Sequence, residues 1–329
     1  MARDCPNQAG GGDRPRGGAD QGGARGGAGL PAELQSDVPF VDTHCHLDIC
    51  FEKTRHQGTF AEFRRRHNFP ANFAGCVTMF CDAAALSPSF GLWPQLLPEE
   101  YVYGAFGFHP HHAKDYNDGV EDRIVAALSE PKAVAWGEMG LDYSGHTRSP
   151  KESQKAIFVR QLNRAVSINK PIIIHSRTDE ADRDTLEILH AHLPKEHPVH
   201  LHCYTGSPEL AHRFLADFPN LFIGFTGGLT FARAKGTQDL AFEIGLDRFL
   251  LETDAPYMPP SSVGGGKRDI STPPHVLHVA KCIADLKRIT LDEVLTAARE
   301  NTTRMSDDPH RHDGDPPPVL TRCCCPLVC

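Results

Sequence analysis

Long apolar runs are absent from this chain of 329 residues. No segment approaches the about 18 uninterrupted apolar residues of a membrane-spanning helix. Residues 1–30 are polar and glycine-rich, without the apolar centre of a secretory signal. We therefore expect a protein that has no membrane partner, is not secreted and works inside the cell, in the cytoplasm or the nucleus.

Positive charge is also scarce, because 34 lysines and arginines stand against 42 aspartates and glutamates, for a formal net charge of −8. Such a chain does not hold nucleic acid by its overall charge, so a polyanionic substrate would need bound cations and a local basic patch. The 11 cysteines lack the spacing of a small disulfide-bonded domain. Several lie in apolar segments and are expected as free thiols in a reducing compartment, namely Cys45, Cys76, Cys81, Cys203 and Cys282.

Two terminal segments lack the apolar residues that a folded core requires. Residues 1–37 contain most of the glycine clusters and are expected to form a disordered Gly/Arg-rich tail. Residues 306–329 end in a cysteine cluster and are expected to form a low-complexity tail. One folded domain is thus predicted over residues 38–305, a length that fits a single large core.

Apolar runs alternate with amphipathic segments through this domain. Near-continuous apolar runs are typical of parallel strands that are buried on both faces. Candidate metal ligands close the first, fourth, fifth, sixth and eighth runs, which favours a closed barrel because its strand ends point at a common centre. The sequence therefore predicts an α/β fold, a (β/α)8 TIM-type barrel, with strands at residues 39–44, 75–80, 102–108, 133–137, 171–175, 199–202, 221–225 and 249–252.

Two histidines close the first run. His44 and His46 are two residues apart, so their side chains point the same way from a strand, which is the spacing of metal ligands; a pair that caps a turn is the alternative. Glu138 closes the fourth run between glycines that let a metal or substrate approach the backbone. Its carboxylate can bridge two cations, and a surface acid beside a turn is the alternative.

The fifth and sixth runs end in further donors. His175 and Arg177 share a face, which combines an imidazole ligand with a guanidinium that can hold a phosphate through two hydrogen bonds. Pairing of Arg177 with the acidic residues that follow it is the alternative. His200 and His202 also share a face, and His202 is expected at the metals because it lies nearer the strand end, with His200 packed one layer deeper.

Carboxylates and one further histidine complete the candidate site. Asp254 closes the eighth run, where it can bind one cation and accept a proton from the attacking water. Glu252, on the same face, is expected to support a ligand. Asp42 either orients a histidine ring or faces the core without a ligand role, and Asp142 either supports a ligand or caps a helix. His109 follows the third run and is expected at the substrate, with a turn cap as the alternative. The residues indicate a divalent-metal hydrolase.

In their order along the chain, these fragments resemble the motifs of the TatD family of metal-dependent deoxyribonucleases, within the wider amidohydrolase-type barrels. The resemblance covers residues 38–305 and rests on five motifs: His-x-His, Gly-Glu-x-Gly-Leu-Asp, His-x-Arg, His-Cys-Tyr-Thr-Gly and Glu-Thr-Asp-Ala-Pro. It implies 3′–5′ exonuclease or abasic-site nuclease activity on DNA, with single-stranded or frayed 3′ ends as the substrate. Glu138, Arg177 and Asp254 are the expected catalytic residues.

The resemblance also implies two divalent metal ions, which can be Mg²⁺, Mn²⁺ or Zn²⁺ because the ligands offer both oxygen and nitrogen. One ion would be held by His44, His46, Glu138 and Asp254, and the other by Glu138, His175 and His202.

The chain departs from the family pattern in two places. The loop after Asp254 usually carries an Arg and an Asn, and Lys267 or Arg268 stands in for them here. The end of the domain runs into an unrelated tail, which predicts a short final helix. Two rival functions stay open: hydrolysis of a carboxylic ester or amide on the same metals, including deacylation of aminoacyl-tRNA, and a binding scaffold without catalysis. The sequence leaves the oligomeric state open, with a monomer expected.

Overall fold

The computed structural model describes residues 30–145, 149–264 and 269–306. In these ranges eight parallel strands form one sheet whose spatial order follows the chain. The strands are Phe40–Cys45 (β1), Phe73–Phe80 (β2), Val102–Phe106 (β3), Ala133–Asp142 (β4), Ile172–Arg177 (β5), Val199–His202 (β6), Leu221–Phe225 (β7) and Phe249–Leu251 (β8).

The helices alternate with the strands and cover the outside of the sheet. Those of the described ranges are Leu47–Thr54 (α1), Phe60–Arg66 (α2), Trp93–Leu96 (α3), Asp118–Ala127 (α4), Lys151–Ser167 (α5), Asp179–His192 (α6), Pro208–Asp217 (α7), Lys235–Glu243 (α8), Val276–Lys287 (α9) and Leu291–Ser306 (α10). Short 3-10 helices lie at Ala32–Leu34, Pro110–Asp115, Gly227–Thr230, Leu246–Arg248 and Pro273–His275. In the part of the chain that the structure describes, no helix is long and apolar enough to cross a membrane.

Backbone contacts between β1 and the segment after β8 bring the two edges of the sheet together. Cys45 and Ala255 form a parallel bridge. The amide of Asp254 donates to the carbonyl of His44 at 2.9 Å, and the amide of His46 donates to the carbonyl of Ala255 at 2.7 Å. The predicted (β/α)8 barrel is confirmed, and the carboxyl ends of all eight strands open on the same face.

Local sequence explains where two of the covering helices begin. The Thr178 hydroxyl accepts a hydrogen bond from the amide of Ala181 at the start of α6. Ser207 does the same for Leu210 at the start of α7, where Pro208 occupies the first turn. Each of these residues satisfies an amide that has no partner within the helix. Both caps immediately follow segments that carry site residues, so they define where those segments end.

The structure extends two elements beyond their predicted ends. The fourth strand was predicted to stop at residue 137, but β4 continues to Asp142 and pairs with β5. The final helix was expected to be short, yet α10 reaches Ser306, with Met305 buried. Asn301 anchors this helix, since its side-chain amide donates to the carbonyls of Leu246 and Phe249 at 2.8 Å each.

The folded chain also begins earlier than expected. Residues 30–37 were assigned to a disordered tail, but Ala32–Leu34 form a 3-10 helix that packs against α9. Leu34 is 2% exposed and belongs to the main core. A single leucine in a glycine-rich region carries too little pattern to be recognised as core from the sequence. The rest of both predicted tails lies outside the described residues, as do Lys267 and Arg268.

Leu34→Ala should therefore lower the free energy of unfolding by about 2 kcal/mol, because it leaves a cavity in the core. Urea denaturation followed by circular dichroism measures the change. Glu33→Ala is the control, since Glu33 is the exposed neighbour in the same short helix. Equal stability of the two variants would indicate that the disordered tail extends to residue 37, as the sequence predicted.

Candidate metal centre

The six predicted metal ligands meet at the carboxyl-end face of the barrel. Five of them are buried, and Asp254 is half-buried. They come from β1 (His44), the start of α1 (His46), β4 (Glu138), β5 (His175), the end of β6 (His202) and the segment after β8 (Asp254). Because these elements are distant in sequence, only closure of the barrel brings the six side chains together.

Glu138 lies at the centre of this group, and its two oxygens face different sets of imidazoles. Near Oε1 lie His175 Nδ1 at 2.8 Å, His109 Nε2 at 3.6 Å and His202 Nε2 at 3.7 Å. Near Oε2 lie His44 Nε2 at 3.6 Å and His46 Nε2 at 3.9 Å. A carboxylate with one donor set at each oxygen has the arrangement that a ligand bridging two cations requires.

Asp254 lies close to both His44 and His46. Its Oδ1 lies 3.7 Å from His44 Nε2 and 3.4 Å from His46 Nε2. Donors that bind one cation at about 2.1 Å in a tetrahedral arrangement are themselves about 3.4 Å apart, so these separations suit a shared cation. Asp254 has a left-handed backbone with φ 56°, which its hydrogen bond to β1 supports.

The ring of His44 is the clearest sign that a cation belongs here. It is 0% exposed, and both of its nitrogens lack a hydrogen-bond partner among the described residues. Burial, reinforced by nearby His202, holds the pKa of His44 well below its usual value, so the ring is neutral. A neutral imidazole with a free lone pair is the form that binds a metal. Both the orphaned nitrogens and the mixed donor set fit a divalent ion.

The charge of Glu138 depends on these same histidines. Burial by itself would raise the pKa of this carboxyl, but the positive potential of His109 and His202 and the hydrogen bond from His175 hold it well below the usual value. Glu138 is therefore ionised although it is only 2% exposed. A buried carboxylate of this kind needs compensating positive charge, which bound cations supply most strongly.

His175 is held between two carboxylates. Its Nδ1 contacts Glu138, and its Nε2 lies 3.3 Å from Asp142 Oδ2. Burial would lower the pKa of His175, but the hydrogen bonds that its ring donates to Asp142 and Glu138 outweigh this effect and raise the pKa to about 9. Asp142 also contacts His111 Nε2 at 2.7 Å. Asp142 thus contacts His175, a predicted ligand, and its Oδ1 also accepts a hydrogen bond from the amide of Ser144 at 2.8 Å.

Glu252 contacts the two histidines of β6, His200 and His202. Its carboxylate lies 3.2 Å from His202 Nδ1 and 2.8 Å from His200 Nε2, and it accepts a hydrogen bond from the Cys203 amide at 2.6 Å. His200 therefore sits one layer deeper than His202 and contacts Glu252, not Glu138. Contacts of this kind fix the ring orientation of a ligand and leave its other nitrogen facing the metal.

Asp42 serves the backbone instead of a histidine ring. It accepts hydrogen bonds from the Thr253 amide at 2.9 Å and from the Thr253 hydroxyl at 2.5 Å. Its Oδ1 also accepts from the amide of His44 at 3.3 Å. This carboxylate joins β1 to the segment that carries Asp254, so it acts on the site by holding those two segments together.

Two glycines beside Glu138 lie against the neighbouring strand β5. A Cβ at Gly137 would lie 2.6 Å from Cβ of Ile173, and a Cβ at Gly140 would lie 2.0 Å from the carbonyl oxygen of His175. They let β4 approach the backbone of β5. Gly140 also has φ 139°, which side chains of L-residues rarely tolerate. The close strand contact is what places Glu138 beside His175.

Arg177 ends β5 at the rim of the centre. Its Nη1 donates to the Thr205 hydroxyl at 2.9 Å and lies 3.5 Å from the Cys203 carbonyl. Within the described part of the chain it forms no ion pair with the acidic residues that follow it, and Glu180 pairs with Lys151. The guanidinium is thus tied to the segment after β6, with further N–H groups available to a ligand.

The histidines after β3 differ most from expectation. His109 was expected at the substrate, but it can form a three-donor group with Glu138 and His175, while His202 joins His44 and Asp254. His111 was not among the predicted site residues, yet its Nε2 contacts Asp142. The i, i+2 spacing of His109 and His111 repeats that of the first motif and is a signal that could have identified both.

The ligands open into a cavity of about 350 Å³. Its wall also includes Asp48, Asp82 and Tyr257. The Cys81 thiol lies 3.9 Å from Glu138 Oε2 and was expected only as a packed thiol. Together with Glu138 and Asp254, the aspartates give this cavity four carboxylates, and six histidines line it as well.

Known proteins share this arrangement of elements. A family model described as TatD related DNase matches residues 41–307. The 3'-5' RNA nuclease TATDN2 of Homo sapiens is 44% identical over 268 residues, which are 81% of this chain and 35% of that protein. The chain therefore spans only about a third of that relative's length. The 3'-5' ssDNA/RNA exonuclease TatD of Escherichia coli K12 is 32% identical over 197 residues, 58% of this chain and 73% of that protein.

A solved structure is similar over the whole barrel. The crystal structure of YJJV, a TatD homologue from Escherichia coli K12, superposes with a TM-score of 0.68 at 27% identity, covering 82% of this chain and 99% of that one. The family match extends over nearly all of the barrel, and the motifs it contains are the ones that meet around Glu138. On this evidence the chain belongs to the TatD family.

Proposed function

We propose that this protein is a divalent-metal-dependent nuclease that removes nucleotides from the 3′ end of single-stranded nucleic acid. The observation that carries the proposal is the position of Glu138 between two sets of imidazoles, with Asp254 beside one set. Two cations held 3.5–4 Å apart, roughly, are a common arrangement in enzymes that displace a phosphate oxygen. The relatives' names add the substrate class and the 3′–5′ direction.

The residues divide the proposed cations between two positions. His44, His46 and Asp254 would hold one ion together with Glu138 Oε2. Glu138 Oε1 and His175 would hold the other, with His202 or His109 as the remaining imidazole. The mixture of nitrogen and oxygen donors accommodates Mg²⁺, Mn²⁺ or Zn²⁺.

When bound, the cations would polarise the scissile phosphate and make the attacking water more acidic. Asp254 is the proposed base, because its side chain is 13% exposed and so is reached by water while it remains among the ligands. Arg177 would donate hydrogen bonds to the phosphate oxygens, on which negative charge accumulates during attack. Asp142 and Glu252 would keep His175 and His202 in the orientation that the cations require.

The shape of the site favours a strand end over a continuous duplex. The candidate centre lies in a concave cavity at the mouth of a closed barrel. A terminal nucleotide can enter such a cavity, whereas a duplex backbone cannot bend into it without fraying. The net charge of −8 gives no long-range attraction for a duplex, so binding relies on the nucleotides nearest the cations.

A 5′-labelled single-stranded oligonucleotide should consequently be shortened from its 3′ end into a descending ladder, in a reaction that requires a divalent metal. A 3′-terminal phosphorothioate should slow it. Gel electrophoresis with DNA, RNA, abasic and aminoacylated substrates checks this outcome. Equal cleavage of 3′-blocked or circular strands would refute the exonuclease proposal, and release of an acyl group without phosphodiester cleavage would favour the deacylase.

Glu138→Ala should reduce the metal content at both positions and lower turnover by more than about 100-fold, because it removes the proposed bridging ligand. Mass spectrometry of bound metal measures the first effect, and oligonucleotide digestion measures the second. Glu130→Ala, which removes an exposed glutamate, should change neither. A fully metallated Glu138→Ala protein would exclude the bridge.

Asp254→Asn should separate metal binding from chemistry. The amide can still bind a cation weakly but is a poor base, so much of the metal should remain while turnover falls by at least about 100-fold. The same metal and digestion assays apply, and Asp122→Asn on the exposed face of α4 is the matched control. Near-normal turnover by Asp254→Asn would transfer the role of base to another residue.

A further inference from the structure

A second cavity, of about 500 Å³, lies beside the candidate metal centre on the same face of the barrel. We call it the β6–β8 groove. It is lined by the segment after β6 (Tyr204, Thr205), the segment after β7 (Leu229, Phe231) and the segment after β8 (Met258, Pro259). Pockets that bind small ligands have volumes of about 300–1,000 Å³, so the groove can accommodate a nucleotide unit.

A hydrogen bond links Thr205, in the wall of the groove, to Arg177 at the rim of the metal centre. Thr205 lines the groove, and its hydroxyl accepts from Nη1 of Arg177 at 2.9 Å. Arg177 lies two residues beyond His175, at the end of the same strand. A phosphate held by Arg177 at the cations would therefore be next to the opening of the groove.

A cation–π contact between two side chains forms part of the groove wall. The guanidinium carbon of Arg233 lies 5.6 Å from the ring centroid of Phe231. Arg233 is exposed and Phe231 is half-buried, so a ligand can reach both. Unpaired bases stack on aromatic rings and on arginine planes, and the arginine charge attracts the phosphate of the same nucleotide.

Charge decides which way a bound strand leaves the centre. The wall of the metal cavity contains Asp48 and Asp82 in addition to the two carboxylate ligands. Among the described residues that line the β6–β8 groove there is no aspartate or glutamate, and Arg233 supplies a positive charge. The cations compensate the charge of one terminal nucleotide, and Arg233 attracts the phosphates that continue the strand toward the groove, where no carboxylate of the described lining opposes it.

From these observations we infer that the β6–β8 groove binds the strand on the 5′ side of the scissile phosphate, with a base stacked on Phe231 and Arg233. The inference rests on the proposed nuclease function and adds the route of the substrate. Phe231 and Arg233 are substrate-positioning residues in this arrangement. Base stacking of this kind tolerates any sequence, because every base has an aromatic face.

Single-stranded hexanucleotides that each lack one base test the stacking. Removal of the base that occupies the groove should lower kcat/KM of the unmodified enzyme by about tenfold or more, measured as loss of the 3′-terminal nucleotide. In Phe231→Ala that missing base should no longer matter. Phe231→Leu keeps a large apolar side chain but lacks the ring, so it should behave like Phe231→Ala. It is the second variant in case alanine, the smaller residue, perturbs folding.

Salt dependence tests the phosphate contact. Arg233→Ala should reduce the slope of log KM against log salt by about 0.7, the contribution of one phosphate contact on a single strand. The matched controls are Phe242→Ala, which removes an aromatic ring that is 59% exposed on α8, and Arg213→Ala, which removes an exposed arginine on α7. Both controls should retain the missing-base penalty and the salt slope.

Two negative results have different meanings. If the unmodified enzyme digests the strands, and both Phe231 variants keep the full missing-base penalty at every position, the groove assignment is wrong while the nuclease function stands. If the unmodified enzyme digests no strand with any divalent metal, the proposed nuclease function fails and the groove assignment fails with it.

Discussion

The structure depends on one buried charge, the carboxylate of Glu138. Burial opposes ionisation of this group, and the surrounding imidazoles reverse that effect, so the pKa is well below its usual value. An unpaired carboxylate at this depth would cost several kcal/mol. The barrel therefore brings His175 and His202 from two different strands to within about 4 Å of the Glu138 carboxylate, which is the separation of paired charges. The arrangement of side chains that stabilises the charge of Glu138 also brings together the donors of a candidate metal site.

Two features of the backbone make this convergence possible. Gly137 and Gly140 allow β4 to approach β5 more closely than any side chain would permit, which sets Glu138 against His175. On the opposite side of the barrel, Asp42 holds Thr253 and so aligns β1 with the segment that carries Asp254. Neither pair of contacts touches the proposed reaction directly. Each fixes the relative position of two strand ends, and the ligand distances follow from that.

The sequence was sufficient to predict the barrel and to name six side chains that meet on one face of it, because both depend on local patterns. Apolar runs mark strands, and His44 with His46 show the two-residue period of side chains on one strand face. It was insufficient where tertiary contacts decide. The end of β4 was misplaced because glycines interrupt its apolar run, although pairing with β5 maintains the strand to Asp142. His111 was missed because its contact with Asp142 depends on how a 3-10 helix after β3 folds across the barrel mouth. Leu34 was missed for lack of any neighbouring pattern.

Charge distribution explains how an acidic protein can act on a polyanion. The overall charge of −8 and the carboxylates of the metal cavity together repel a bare phosphate chain. Cations remove that repulsion only within a few ångströms, because screening at physiological salt limits charge effects to about 8 Å. Attraction is therefore confined to the phosphate at the centre and to neighbours that meet Arg177 and Arg233. A long duplex has most of its phosphates outside this zone, where they gain no attraction. A strand end has few phosphates outside this zone. The charge distribution that weakens general nucleic-acid binding therefore favours a strand terminus.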